Sequence, residues 1–383
     1  MHVCGRHYLT GEVCDIETAD GVIRAIAPVA GSASAVGTAW LAPGLIDIQV
    51  NGYEGINFCS AAVTPDEVVA AAQKLANAGV TAFCPTVTTN APTATEASVR
   101  AIARACAISE IARQRILAIH LEGPYISPLD GPRGAHPREH VRNPDWAELT
   151  RLQEAAGGRI GIITLAPELP GALEVIAKAS HAGIVVALGH HAATREQIKA
   201  AVHAGAVLST HLGNGAHIKL PRHNNYIWEQ LAHDGLLASI IVDGHHLPPA
   251  VVKCFYRAKE QQRLILISDA IQAAGLPAGT YSLMGKAVEV REDGFVSLVG
   301  TPYLAGSVLK LCDAVGNVME FAGASFADAI VMATANPARL LGVERERGSL
   351  RVGALADVTV WRAEGGRYRL VQTIAGGEVG YER

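Results

Sequence analysis

The chain is poor in aromatic residues and has no long apolar run. Aromatics make up 5% of its 383 residues, so its core is aliphatic. No window reaches the roughly 18–20 uninterrupted apolar residues of a membrane helix. There is no basic run and no low-complexity tract, and 32 Lys and Arg against 36 Asp and Glu leave a formal net charge of −4. That balance offers no electrostatic footing for nucleic acid or an acidic membrane. The opening Met1-His2-Val3-Cys4-Gly5-Arg6-His7 lacks the apolar segment of a secretory leader. The seven cysteines, at positions 4, 14, 59, 84, 106, 254 and 312, form no C-x-x-C pair. An odd, scattered set argues for reduced thiols in a cytoplasm, and against a disulfide framework or a cysteine zinc site. Walker, G-x-G-x-x-G and G-x-S-x-G signatures are missing as well.

What is present is ample aliphatic material, 49% apolar residues, and 39 glycines suited to tight strand-to-helix turns. The length exceeds one simple core and predicts a large domain with a smaller companion. The N-terminal stretch holds short segments such as Gly21-Val22-Ile23-Arg24-Ala25-Ile26. The C-terminus has the same character, with Asp357-Val358-Thr359-Val360-Trp361, a Gly365-Gly366 turn and Tyr368-Arg369-Leu370-Val371. The two ends, residues 1–43 and 352–383, predict one small β-sandwich. Between them, over 44–351, apolar strand candidates alternate with helical patterns. The strands are Leu45–Val50, Thr81–Pro85, Ile116–Leu121, Ile160–Leu165, Ile184–Leu188, Val207–Thr210, Leu237–Val242 and Leu264–Ile267. Helices are expected at Pro65–Ala78, Thr95–Arg113, Gly171–His181 and Ala193–His203, the first opened by the capping sequence Thr64-Pro65-Asp66-Glu67. Eight such units predict a closed (β/α)8 barrel of the TIM type.

Active sites of these barrels lie at the C-terminal ends of the strands. Here those ends carry Gln49 and Asn51, Thr86, Glu122, Glu168, His190 and His191, His211, Asp243 with His245 and His246, and Asp269. The central stretch is Ile116-Leu117-Ala118-Ile119-His120-Leu121-Glu122-Gly123-Pro124, an apolar strand ending in a carboxylate. A charge there is costly unless paired, and a metal ion is the partner the pattern suggests. Glu122, His190 and His211 supply the three ligands of a catalytic zinc-type site with a position left for water. Asp269 could take a proton from that water and return it to a leaving amine, which implies hydrolysis of an amide or ester. Each residue also has a plainer role: Glu122 or Asp269 could cap a turn, and Asp243 could hold the turn at Gly244.

The motifs Pro43-Gly44-Leu45-Ile46-Asp47, His120-Leu121-Glu122-Gly123-Pro124, Thr164-Leu165-Ala166-Pro167-Glu168, Gly189-His190, Thr210-His211-Leu212, Asp243-Gly244-His245-His246, Ser268-Asp269-Ala270 and Ala305-Gly306-Ser307 follow one another in this order. Their combination resembles the N-acetylglucosamine-6-phosphate deacetylases of the amidohydrolase superfamily, over almost the whole chain. The resemblance implies a homodimer acting on a small amino-sugar substrate. It implies one divalent ion, Zn before Fe, Mn or Co, with a second metal left open. It implies Glu122, His190 and His211 as metal ligands and Asp269 as the catalytic acid/base. His136, Ala135, Asn214, Gly215, Leu304, Ala305 and Gly306 would bind substrate. Arg222 and His246 would meet the phosphate, one route being across the dimer interface. Two departures stand out. Gln49-Val50-Asn51 replaces the superfamily's first-strand H-x-H, and neutral amides are poorer ligands than imidazoles. The segment from Gly213 to Trp228 is rewritten around Tyr226 and Trp228. It leaves open an unphosphorylated amino sugar or an N-acyl amino acid as substrate. A non-catalytic relative would have lost a ligand or the acid/base, and all four are present.

Overall fold

Alternating apolar and polar residues at the N-terminus build β1 (His2–His7), β2 (Val13–Ala19) and β3 (Val22–Pro28), an antiparallel run with Ile16 and Ile23 fully buried. β4 (Ala39–Pro43) lies parallel beside β1. The structure is a computed structural model describing residues 1–29, 39–283, 286–300 and 304–383; residues 30–38 of the β-rich N-terminal stretch lie outside it.

Past Pro43 the strands become continuously apolar, as strands covered on both faces should. They are β5 (Leu45–Val50), then, after a short hairpin of β6 (Gly52–Tyr53) and β7 (Ile56–Asn57), β8 (Val80–Thr88), β9 (Ile119–Glu122), β10 (Ile160–Leu165), β11 (Val185–Leu188), β12 (Ala206–Ser209), β13 (Leu237–Ile241) and β14 (Leu264–Ile267). The order β14-β13-β12-β11-β10-β9-β8-β5 is parallel between every neighbouring pair. Asp269 N donates to Gln49 O (3.0 Å) and Asn51 N to Ala270 O (2.8 Å), which closes the eight strands into a barrel. The outer layer includes α1 (Pro65–Lys74), α2 (Pro92–Ile108), α3 (Glu110–Arg115), α4 (Trp146–Ala155), α5 (Ala172–His181), α6 (Arg195–Ala204), α7 (Tyr226–Ala232) and α8 (Pro249–Arg263). Capping boxes start α1 at Thr64 and Glu67 and α6 at Thr194 and Gln197.

Several expected boundaries shift by a few residues, and two of the differences are instructive. The single helix expected over 95–113 is two, because Ser109 adopts extended φ/ψ and its side chain caps α3 through Ala112 N. The central strand pairs from Ile119 rather than Ile116, which makes only an isolated bridge to Phe83.

A three-stranded sheet, β15 (Gly279–Leu283), β16 (Lys286–Val290) and β17 (Val296–Leu298), stands beside the barrel mouth over its own small core of Ile271, Ala273, Val288, Val290, Val296 and Ala305. Then come α9 (Leu311–Ala322), α10 (Phe326–Ala333) and α11 (Ala335–Leu340). The chain ends in β18 (Val358–Glu364), β19 (Arg367–Ala375) and β20 (Glu378–Glu382). β18 pairs with β4, so both termini share one seven-stranded sheet, β20-β19-β18-β4-β1-β2-β3.

Candidate metal-dependent active site

Glu122 is the last residue of β9, while His190, His211 and Asp269 each follow the last residue of β11, β12 and β14 by two positions. The latter three have positive φ, +53°, +32° and +49°, although none is glycine. Left-handed backbone costs such residues about 1–2 kcal/mol each and clusters where function demands a particular aim. The aim here is convergence. Glu122 Oε1 lies 3.1 Å from His190 Nε2 and 2.9 Å from His211 Nε2, and the two nitrogens are 3.0 Å apart.

The tautomers indicate what fits between them. His190 Nδ1 faces the carbonyl of Pro132 at 2.8 Å, and a carbonyl only accepts, so the proton is on Nδ1 and Nε2 offers a lone pair inward. One proton on His211 Nε2 cannot satisfy both a carboxylate and a second lone pair. Three acceptors within about 3 Å, all nearly buried, call for a cation. Ligand atoms bound tetrahedrally at about 2.1 Å stand about 3.4 Å apart, close to this spacing. The residues therefore fit a divalent ion. A ring nitrogen of His136 also lies within 4.8 Å of ligand atoms of Glu122 and His190. Gly215 (φ +55°) permits the packing, since a Cβ there would come within 2.7 Å of His190 Nδ1.

The cluster opens into a cavity of about 270 Å³, lined also by Asp269, Asn51, His136, His246, Ile241 and Ile271. Residues 40–379 match the model of the amidohydrolase family. The chain belongs to the amidohydrolase family. It is 38% identical over 344 residues to the N-acetylgalactosamine-6-phosphate deacetylase of Escherichia coli O157:H7, covering 90% of this chain and 89% of that protein. It is 38% identical over 332 residues to the human N-acetylglucosamine-6-phosphate deacetylase, covering 84% and 79% respectively. A solved structure of a mutant N-acetyl-D-glucosamine-6-phosphate deacetylase from Mycobacterium smegmatis, in complex with N-acetyl-D-glucosamine-6-phosphate, superposes with a TM-score of 0.87. It is 30% identical, and the match covers 99% of both chains.

The electrostatics of this amidohydrolase separate its two central carboxylates. Burial would raise Glu122, but the hydrogen bonds and charges of His190 and His211 overcome it and hold the group well below the usual carboxylate range. Asp269 has no such pair. Burial first, and then the charge of Glu122, push it up to about 6. One carboxylate stays ionised while its neighbour can exchange a proton near neutrality, the arrangement acid–base chemistry needs. Burial also lowers His136 to about 3 and His120 to about 4, so both imidazoles are neutral.

The expected residues divide by position. Ala135, His136, Asn214, Gly215, His246, Leu304, Ala305 and Gly306 line the cavity with the four central groups. Asp243 Oδ2 holds His246 Nδ1 at 2.6 Å, which leaves His246 Nε2 as the nitrogen not tied to Asp243. Gln49 does not line the cavity; its Nε2 donates to Glu122 Oε1 at 3.0 Å. Asn51 Nδ2 donates to Asp269 Oδ1 at 2.6 Å. Arg222 is not brought to the cavity of its own chain, because it sits on an exposed stretch where its carbonyl accepts from Trp228 Nε1. Trp228 is 49% exposed and Tyr226 bonds His217, so neither aromatic fills the cavity. Sequence reasoning missed Asn57, Cys59, Thr88, Ile241, Ile271 and Gln272 in the lining, and Thr89 behind His136. Thr88 ends β8, so the rule of strand ends reaches it; Asn57 and Cys59, at and just past the end of β7, and Gln272, three residues after Asp269, carry no such mark.

Proposed function

We propose that the chain removes the acetyl group from an N-acetylated hexosamine 6-phosphate, N-acetylglucosamine 6-phosphate first among them, by hydrolysis of its amide. The observation that carries the reading is the convergence of Glu122, His190 and His211 within about 3 Å beside a buried Asp269 that titrates near 6. Glu122, His190 and His211 would hold one divalent ion, Zn²⁺ before Fe²⁺, Mn²⁺ or Co²⁺. When bound, such an ion lowers the pKa of water and polarises a carbonyl. Asp269 accepts the proton as water oxygen adds to the acetyl carbon, and delivers it to the amine nitrogen as the C–N bond breaks, giving acetate and the free amine. Asn51 aims the Asp269 carboxylate, and Gln49 steadies Glu122. A neutral first-strand Gln and Asn favour a single tightly held ion.

Phosphate recognition rests on His246 and on Arg222 supplied by a second copy of the chain. In support, no described lining residue is Lys or Arg, while Arg222 is exposed and without an ion pair among the described residues. The same absence is what an unphosphorylated amino sugar would require, and this is the second reading. Seven unpaired cysteines suit a reducing compartment, in keeping with a cytoplasmic enzyme.

The test is acetate release from N-acetylglucosamine 6-phosphate, N-acetylgalactosamine 6-phosphate and N-acetylglucosamine, with metal analysis of the same sample. Turnover confined to a phosphorylated sugar supports the first reading. Turnover of the free sugar alone gives the second, and turnover of none of the three with metal bound would sink both substrates.

A further inference from the structure

We infer that Thr89 is a positioning residue that fixes the tautomer of His136, engaging the Nδ1 lone pair and keeping the proton on Nε2, so that neither ring nitrogen is free to join the metal ligands. His136 could otherwise join the cluster, since a ring nitrogen lies within 4.8 Å of ligand atoms of Glu122 and His190. Its tautomer decides. Thr89 Oγ1 is 2.7 Å from His136 Nδ1, and Thr89 is only 1% exposed. Among the described residues this nitrogen is the only partner of the Thr89 hydroxyl. A buried hydroxyl that merely accepted from Nδ1–H would leave its own proton without an acceptor, at a cost of about 1–3 kcal/mol. The hydroxyl therefore donates, Nδ1 carries the lone pair, and the ring proton is on Nε2. Glycine at 123 leaves room for this contact, since a Cβ there would stand 2.2 Å from Thr89 Oγ1.

An Nε2–H is a donor and not a ligand. On the amide-hydrolase reading, which this inference needs only for what the proton then does, it meets the carbonyl oxygen that gains charge in the transition state. Histidines 190 and 136 thus carry opposite tautomers, one set by a carbonyl and the other by a hydroxyl.

The test reads the ring nitrogens by ¹⁵N NMR of histidine-labelled protein, the His136 signals being assigned by their loss in His136→Gln. Wild type should show a protonated Nε2 and an unprotonated Nδ1. Thr89→Val should allow Nδ1–H to appear and lower kcat on the order of 10-fold with KM little changed, and Thr89→Ser should restore both. His136→Gln should keep its metal. Nδ1–H in wild type, an unchanged tautomer in Thr89→Val, or loss of metal in His136→Gln would each overturn the inference. The wild-type spectrum decides even where a variant fails to fold. It is also read whether or not any sugar is turned over, so failure of the substrate reading stays separate.

Discussion

At the scale of single residues, the site combines strained backbone with unequal carboxylates. Asp269 must be ionised to accept a proton, and burial raises it to about 6. On the proposed function, activity should therefore fall on the acid side of neutrality as Asp269 takes up its proton, at a pH below the metal-free value of about 6 because a bound cation favours the carboxylate, seen as the acid limb of a kcat/KM profile. Asp269→Asn should lower kcat by about 10²–10⁴, the usual worth of a general acid–base group, with metal content retained. Asn51→Ala removes the hydrogen bond that favours the Asp269 carboxylate, so the acid limb should move to higher pH as kcat falls. Gly215→Ala forces a Cβ against His190 Nδ1 and should reduce the bound metal, measured by elemental analysis. The four central residues were legible because each stands at a strand end, where an unpaired charge has no structural excuse. Thr89 was not, since nothing in a Thr-Thr-Asn stretch says which hydroxyl meets an imidazole 47 residues away.

Among elements, the junction between the barrel and the terminal sheet depends on one buried ion pair. Arg347 and Asp357 are 7% and 6% exposed and bonded to each other; Arg347 Nη2 also donates to Gln114 O at 2.6 Å, and Gly376 N to Asp357 Oδ1 at 2.8 Å. α3, the turn before β18 and the turn after β19 are thus tied at one point. Arg347→Ala strands the Asp357 carboxylate and should cost about 3–5 kcal/mol, read from denaturant unfolding of the metal-loaded protein. The barrel strands were readable from their apolar runs because both faces are covered. The terminal strands were readable as β but not in their pairing, because β1–β4 and β4–β18 join residues more than 30 and more than 300 positions apart.

For the molecule as a whole, metal and assembly are the quantities to measure. If the three inward-facing acceptors hold the proposed ion, they do so only in the folded chain, so a chelator should lower the unfolding temperature; at 1,000 times Kd the ion is worth about 4 kcal/mol. If a second copy supplies Arg222, Arg222→Ala and Asp269→Asn should complement each other. A mixed dimer then holds one intact site, and an equal mixture should regain about a quarter of the wild-type rate. Recovery near zero would place Arg222 outside the partner's site.

The amino-acid sequence by itself determined the kind of protein: strand periodicity specified a closed barrel, and strand-end positions marked Glu122, His190, His211 and Asp269, which the structure brings together at one cavity. Those features are local, written in runs of a few residues. Only the tertiary structure decided the tautomer of His190, the support of Glu122 by Gln49 and of Asp269 by Asn51, and the withdrawal of Arg222 from its own chain's cavity. Each depends on hydrogen-bond partners drawn together from distant strands, and their identities follow from three-dimensional closure rather than from any neighbouring residue.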